Sequence, residues 1–417
     1  MAEYIINGGN KIEGEVSISG SKNASLPIIA ATILNGGKST LYNVPDIHDT
    51  QMMLEILKKL GAKVARKGKK VIIDTSKINE FKIPEELMRQ MRSSVIIVGA
   101  LIGKHHNATF SYPGGCDIGA RPIELHLKAF EKLGINIDKN YGNIHCSCDK
   151  IKGEKIDFEF PSVGATENAI LASCLQEGIT RITNAAKEPE IIDLQNFLNK
   201  MGAKIKGAGT SLIEIEGVKK LKDVSYNIMS DRIETGTFLC LAAINGGKLL
   251  VKNTNNNHII PIIDKLEETG CKLELYKNQI FIKAPKRLKS VDIKTMPYPG
   301  FPTDMQSIFA TTLTTAKGNS IIVENIFENR YKYMQELIRM GAKITIEGKT
   351  AIIKGTNKLY GANVKATDLR GGAALVMAGT IAKGRTKIEN IEYIKRGYEK
   401  FEQKLKIIGV DIQESKD

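Results

Sequence analysis

The sequence has no tryptophan, few cysteines and no long uncharged apolar run, and each shortage excludes something. Without a run near the roughly 18 apolar residues a spanning helix needs, no membrane helix is expected. The first residues, MAEYIINGGNKIEGEV, lack a basic stretch followed by an apolar one, so no secretory signal is expected either. Six cysteines in 417 residues cannot staple a scaffold, which suits free thiols in a reducing cytoplasm. Cys146 and Cys148 form a C-x-C pair with no second pair at ligand spacing, so no metal site is expected. The 60 basic against 46 acidic residues leave a net charge of +14. With no basic tail and no aromatic interleaving, nucleic acid is a poor partner for that charge. Small anions such as phosphates and carboxylates, or simply a basic surface, remain as readings. With 42% hydrophobic and 25% charged residues the chain is globular, and its length suits two to four domains.

A signature recurs along the chain: a helical stretch, an apolar residue, Gly, then a strand. It reads KKLGAKV at Gly61, EKLGINI at Gly134, NKMGAKI at Gly202, EETGCKL at Gly270, IRMGAKI at Gly341 and KIIGVDI at Gly409, at intervals of 73, 68, 68, 71 and 68 residues. Each copy reads helix, strand, amphipathic helix, Gly, strand, strand, with a strand linking to the next. The Gly suits a C′ position with positive φ. A period near 70 residues excludes a short-repeat solenoid. The first helices, such as SSVIIVGALIG and GAALVMAGTIA, are apolar on every face and call for full burial. The fold class that satisfies this is α/β: two inside-out domains, each of three βαβαββ-like units with buried helices and outer sheets.

Counting back from each repeated Gly by 37 to 42 residues reaches the start of the first helix. The residues there are Lys22, Arg92, Gly164, Arg232, Asp304 and Arg370. A helix start already favours anions, so cations placed there oppose the dipole and point to an anionic ligand. Capping or rim roles are the bland alternative; for Asp304 it is a plain N-cap. Copy two adds a glycine-rich loop, YPGGCDIGARPIEL, a candidate lid. Its Cys116, near Arg121, reads as an exposed and activated thiol. Cys174 and Cys240 lie in apolar helices and read as buried packing.

The segments SKNASLPIIAATIL, YPGGCDIGARPIEL, PSVGATENAI, AAKEPEIIDL, SDRIETGTF, FPTDMQ, FENRY, ATDLRGGAALV and RGYE resemble the UDP-N-acetylglucosamine 1-carboxyvinyltransferase family over essentially the full length. The resemblance implies two inside-out domains, 22–229 and 1–21 plus 230–417, with the active site in the cleft between them. It implies transfer of the enolpyruvyl group of phosphoenolpyruvate to the 3′-hydroxyl of UDP-N-acetylglucosamine, with loss of phosphate, by addition–elimination through a tetrahedral ketal. This reaction is the first committed step of bacterial peptidoglycan synthesis, in the cytoplasm. No cofactor, metal, nucleic acid, membrane or obligate protein partner is implied. The runner-up, 3-phosphoshikimate 1-carboxyvinyltransferase, shares fold and donor, but the cysteine loop and SVGATEN argue against it.

The resemblance also assigns residues. Lys22, Arg121 and Arg396 hold the donor's phosphate, Arg370 its carboxylate, and Asn23 lies beside the substrates. Cys116 is the general acid, able to form a covalent adduct with phosphoenolpyruvate and to be alkylated by fosfomycin. Asp304 hydrogen-bonds the attacking hydroxyl. The sugar nucleotide meets Arg92, Arg121, Pro122, Ile123, Glu124, Leu125, Ser162, Val163, Gly164, Asp304 and Ile326. Phe160 stands where some relatives have Lys near the diphosphate, and Glu124 where some have Asp. His126 and His145 receive no role.

Overall fold

The computed structural model describes all residues except 1, 115–117, 120, 121 and 417. The chain divides into two compact units, one built from the N-terminal residues to Ser19 together with Ser230 onwards, the other running from Gly20 to Met229 around the central loop. The change of unit falls after Ser19, two residues before the expected boundary. Ser21 is tied into the second of these: its amide donates to the Met229 carbonyl, and its hydroxyl caps the helix Lys22–Ala31. Ser19 instead donates its amide to Glu234 in the first.

Each unit has its own core. In the 20–229 unit the central helices are Lys22–Ala31, Ile96–His105 and Val163–Ser173; in the other they are Arg232–Ile244, Gln306–Leu313 and Leu369–Ile381. These six carry almost no polar face, and all are buried along nearly their whole length. Packing helices this apolar in the middle requires close backbones. Gly99 and Gly103 supply the approach: an added Cβ would lie 2.4 Å from Asn168 Oδ1 and 2.6 Å from the Leu171 carbonyl, respectively.

Among the described residues there are six sheets, three per unit. Five follow one plan. Thus Asn319–Val323 pairs antiparallel with Thr350–Lys354, which pairs antiparallel with Lys343–Glu347, while the linker strand Ile293–Lys294 joins the other edge in parallel. The sixth sheet has three strands. There the linker forms the helix Glu85–Gln90, led by Pro84 with two acids in its first turn, and keeps only a parallel bridge from Lys82 to Thr109. The N-terminal strand Ala2–Asn7 lies between Arg385–Glu389 and Asp411–Lys416, and Glu13–Ser17 runs parallel to Lys248–Lys252. This is why the first residues belong with the last ones.

The repeated glycine closes the amphipathic helix in the same way every time. Gly61, Gly134, Gly202, Gly270, Gly341 and Gly409 have φ between 82° and 107°. Each donates its amide three residues back, and the next residue donates five back, as in Gly61 to Lys58 and Ala62 to Leu57. That bond pair is the Schellman motif, and its left-handed residue costs glycine least.

Candidate active site

The equivalent positions all fall where a central helix begins. Lys22 and Arg232 are first residues of their helices, Gly164 and Arg370 second ones. Arg92 opens the 3₁₀ turn Arg92–Val95 that leads into Ile96–His105, and Asp304 sits in the turn Thr303–Met305 before Gln306–Leu313. The caps are supplied by a residue one or two positions upstream. Asp231 Oδ1 accepts from the Ile233 and Glu234 amides, Asp368 Oδ1 from those of Arg370 and Gly371, and Ser162 Oγ from Ala165. At the two arginine starts, the aspartate caps offset the unfavourable cation at the helix start.

In the 20–229 unit, Lys22 Nζ lies 2.7 Å from Asp49 Oδ2, a buried carboxylate at the start of the next helix. Asn23 is half-buried beside it. Pro27, inside that helix, has no N–H to donate back to the Asn23 carbonyl. Ser162, Val163 and Gly164 form a half-buried helix start. His126 packs against it: a Cβ on Gly164 would lie 3.0 Å from His126 Cε1, so the only uncharged position of the six is the one an imidazole crowds. His126 Nδ1 is 2.8 Å from Asn168 Nδ2, which makes Nδ1 the acceptor. Burial, with Arg92 adding to it, pushes the imidazole down to about 3, so it is neutral near pH 7. Ile123 is buried at the start of the helix Glu124–Lys132, Leu125 is half-buried, and Pro122, Glu124 and Phe160 are exposed. Cys116 and Arg121 lie outside the described residues. The loop leading to them is anchored at Gly114, whose amide donates to the Met88 carbonyl and where a Cβ would meet the Arg89 carbonyl at 1.7 Å.

In the other unit, Asp304 is not a cap. Pro302 holds the cap position of its turn, with no side-chain cap bond. The carboxylate is held by two arginines. Arg370 Nη2 and Nε reach Oδ2 at 3.0 and 3.3 Å, and Arg330 Nη2 reaches Oδ1 at 3.0 Å. Arg330 and Arg370 are only 3% and 2% exposed. Arg370 Nη1 and Arg330 Nε are buried with no hydrogen-bond partner among the described residues. A buried donor left unmet costs about 1–3 kcal/mol, more for a charged group, so this is where an anion would be welcome. Tyr398 supports Arg370: its ring centre is 5.2 Å from the guanidinium carbon, and its hydroxyl meets Thr237 Oγ1 at 2.9 Å. Glu324 ties the turn of Asp304 to Ile326, accepting from Thr303 Oγ1 at 3.0 Å and from the Ile326 amide at 2.8 Å. Arg396 is half-buried at the end of the helix Glu392–Lys395.

The sequence reading did not assign Arg330, Asp49, Tyr398 or Glu324. Arg330 and Tyr398 lie inside the segments FENRY and RGYE, and membership of those segments is the available signal. Asp49 and Glu324 carried none, because an acid near a helix start is ordinary. Cys174 and Cys240 are buried thiols, and burial pushes Cys174 up to about 12. Neither is suited to react at neutral pH.

The model of the EPSP synthase (3-phosphoshikimate 1-carboxyvinyltransferase) family matches residues 6–405. The chain belongs to this family. Within it, the chain is 52% identical over 413 residues to UDP-N-acetylglucosamine 1-carboxyvinyltransferase 2 of Caldanaerobacter subterraneus, covering 99% of both chains. It is 48% identical to the like-named protein of Carboxydothermus hydrogenoformans and 46% to UDP-N-acetylglucosamine 1-carboxyvinyltransferase of Geobacter metallireducens, covering 100% of each pair. Among solved structures, the enolpyruvyl transferase NikO from Streptomyces tendae superimposes with a TM-score of 0.91 at 23% identity, covering 99% of both chains. EPSP synthase from Acinetobacter baumannii gives 0.79 at 19% over 100% of both. These two share the fold of this enolpyruvyl transferase, which has the expected inside-out α/β architecture.

Proposed function

We propose that this enolpyruvyl transferase moves the enolpyruvyl group of phosphoenolpyruvate to the 3′-hydroxyl of UDP-N-acetylglucosamine and releases phosphate. The observation that carries the reading is the pair of buried guanidiniums around Asp304, each with an unmet N–H. A carboxylate-bearing donor supplies the acceptors they lack, and forked guanidinium donors suit it. Arg370 takes the donor's carboxylate; Lys22, Arg121 and Arg396 take its phosphate, with Asn23 alongside. Free amides at the start of Val163–Ser173 favour the nucleotide's diphosphate, with Arg92, Ile123, Leu125 and Ile326 as further contacts. Phe160 offers no charge in place of the lysine of some relatives.

In the first step the methylene carbon of phosphoenolpyruvate gains a proton from Cys116, leaving a cationic carbon that bears the phosphate oxygen. The 3′-oxygen attacks that carbon and its proton passes to Asp304. The methyl carbon of the ketal then returns a proton to the Cys116 thiolate left by the first step as the bond to the phosphate oxygen breaks, restoring the double bond and releasing phosphate. Fixed cations around the donor stabilise the charge on the departing phosphate. On this reading the enzyme commits its sugar nucleotide to peptidoglycan synthesis in the bacterial cytoplasm.

Phosphate release tests the reading. It should require phosphoenolpyruvate and UDP-N-acetylglucosamine together. Release with shikimate 3-phosphate instead would favour the sister activity, and release with neither acceptor would overturn both.

A further inference from the structure

We infer that Arg330 is a positioning residue for Asp304, and that Asp304 and the donor's carboxylate compete for the guanidinium pair Arg330 and Arg370, so that donor binding frees Asp304 for the acceptor hydroxyl. The inference rests on the proposed donor site and goes beyond it. Asp304 takes one edge of Arg370, through Nε and Nη2, and one nitrogen of Arg330. Arg330 also donates from Nη2 to the Thr303 carbonyl at 3.3 Å, which fixes the turn and the carboxylate from the same atom. The remaining donors, Arg370 Nη1 and Arg330 Nε, are buried and unmet among the described residues.

This arrangement half-satisfies both arginines. A carboxylate arriving at the unmet nitrogens brings a second negative charge next to Asp304. Two carboxylates share two guanidiniums comfortably only if one of them turns away. The half-exposed partner is Asp304, whose side chain is 29% exposed against 3% for each arginine. It is therefore the group able to swing. Turning away also gives it the freedom to accept a hydroxyl, which a carboxylate whose two oxygens are already taken by guanidinium donors does poorly. An acceptor hydroxyl that draws Asp304 away should, by reciprocity, make room for the donor.

Equilibrium binding of two non-reacting anions separates this from a general field effect. 2-Phospholactate keeps the donor's phosphate and carboxylate without its double bond; ethyl phosphate lacks the carboxylate. Asp304→Asn should bind 2-phospholactate at least ~5-fold more tightly than the unsubstituted enzyme, with ethyl phosphate changed less than ~2-fold. UDP-N-acetylglucosamine should tighten 2-phospholactate in the unsubstituted enzyme, and that coupling should vanish in Asp304→Asn. Arg330→Lys, which keeps the charge but loses the fork, should weaken the coupling while retaining ethyl phosphate affinity. Equal tightening of both anions by Asp304→Asn, or no tightening of either, would overturn the inference. Failure of the unsubstituted enzyme to bind 2-phospholactate at all would instead overturn the proposed donor site.

Discussion

Replacing Gly99 by alanine puts a methyl group 2.4 Å from Asn168 Oδ1 and 2.6 Å from the Asn168 carbonyl, with backbone on one side and a bonded amide on the other. Asn168 cannot yield cheaply. Its Oδ1 accepts from the Gly99 amide at 2.9 Å, and its Nδ2 serves both the Val95 carbonyl at 3.0 Å and His126 Nδ1 at 2.8 Å. Overpacking of this kind costs about 1–3 kcal/mol, and an orphaned buried amide about 1–3 kcal/mol more. Alanine returns about 1 kcal/mol through helix propensity. The net loss of about 1–5 kcal/mol should lower the melting temperature of this unit by about 2–20 °C. The same push releases His126 from its tautomer beside Gly164, so KM for the sugar nucleotide should rise more than KM for phosphoenolpyruvate. Calorimetry on Gly99→Ala, Asn168→Ala and the double variant checks the mechanism, because shortening Asn168 removes the clash with Oδ1 and leaves only that with the backbone. The reasoning fails if Gly99→Ala melts within about 2 °C of the parent, or if the two changes add to within ~0.5 kcal/mol.

Fosfomycin should label Cys116 and inactivate the enzyme, with Cys116→Asp active but unlabelled; peptide mapping that finds the label on Cys174 or Cys240 would contradict this. Asp304→Asn should lose roughly 10²–10⁴ in turnover at saturating substrates, whereas a merely structural aspartate would lose little. His126 titrates low in the fold, so the folded state binds fewer protons than the unfolded one between pH 6.5 and about 3. Its contribution is present above pH 6.5 and is lost as pH falls; His126→Gln should remove about 1.4 kcal/mol per pH unit from the slope of stability in that window, and an unchanged slope would refute it. Asp193 has the opposite sign: burial raises it to about 6 despite bonds from Tyr226 and Met229. Stability therefore falls as pH rises from about 4 to 6, and Asp193→Asn should flatten that limb in urea titrations at stepped pH.

The architecture was legible because the repeat is written in chemistry that only one backbone state satisfies. A glycine at φ near 100° after an amphipathic helix is needed six times, and it appears six times. Burial of the first helices followed from their lack of a polar face. The edge of each sheet was less legible. Whether a linker pairs in parallel or coils into Glu85–Gln90 depends on a proline and two acids in a segment with little periodicity. At the site, the helix-start positions could be found by counting from glycine, but their partners could not. Asp49 reaches Lys22 from another helix, and Arg330 reaches Asp304 across 26 residues. Such pairings depend on which elements pack together, and composition and spacing carry no trace of them.

The pseudo-symmetry also gives a reason for helix starts to serve as the working positions of the proposed site. A central helix buried on all sides can expose functional groups only at its ends. At the N-terminal end free amides and the dipole already favour anions. At four of these starts the cap is supplied by Ser21, Ser162, Asp231 or Asp368, so the residue one or two positions on does not have to cap the helix. Lys22, Arg232 and Arg370 could thus become cations at modest cost, Gly164 could shrink to admit His126, and Asp304 could take the opposite charge. One repeated element has supplied opposing chemistries from equivalent positions: cations that would hold a donor's anions, and a carboxylate, held by two of the unit's buried arginines, that would receive the acceptor's proton. On the proposed reading, the departure of Asp304 from the cationic pattern is what would let its unit receive a proton as well as bind an anion.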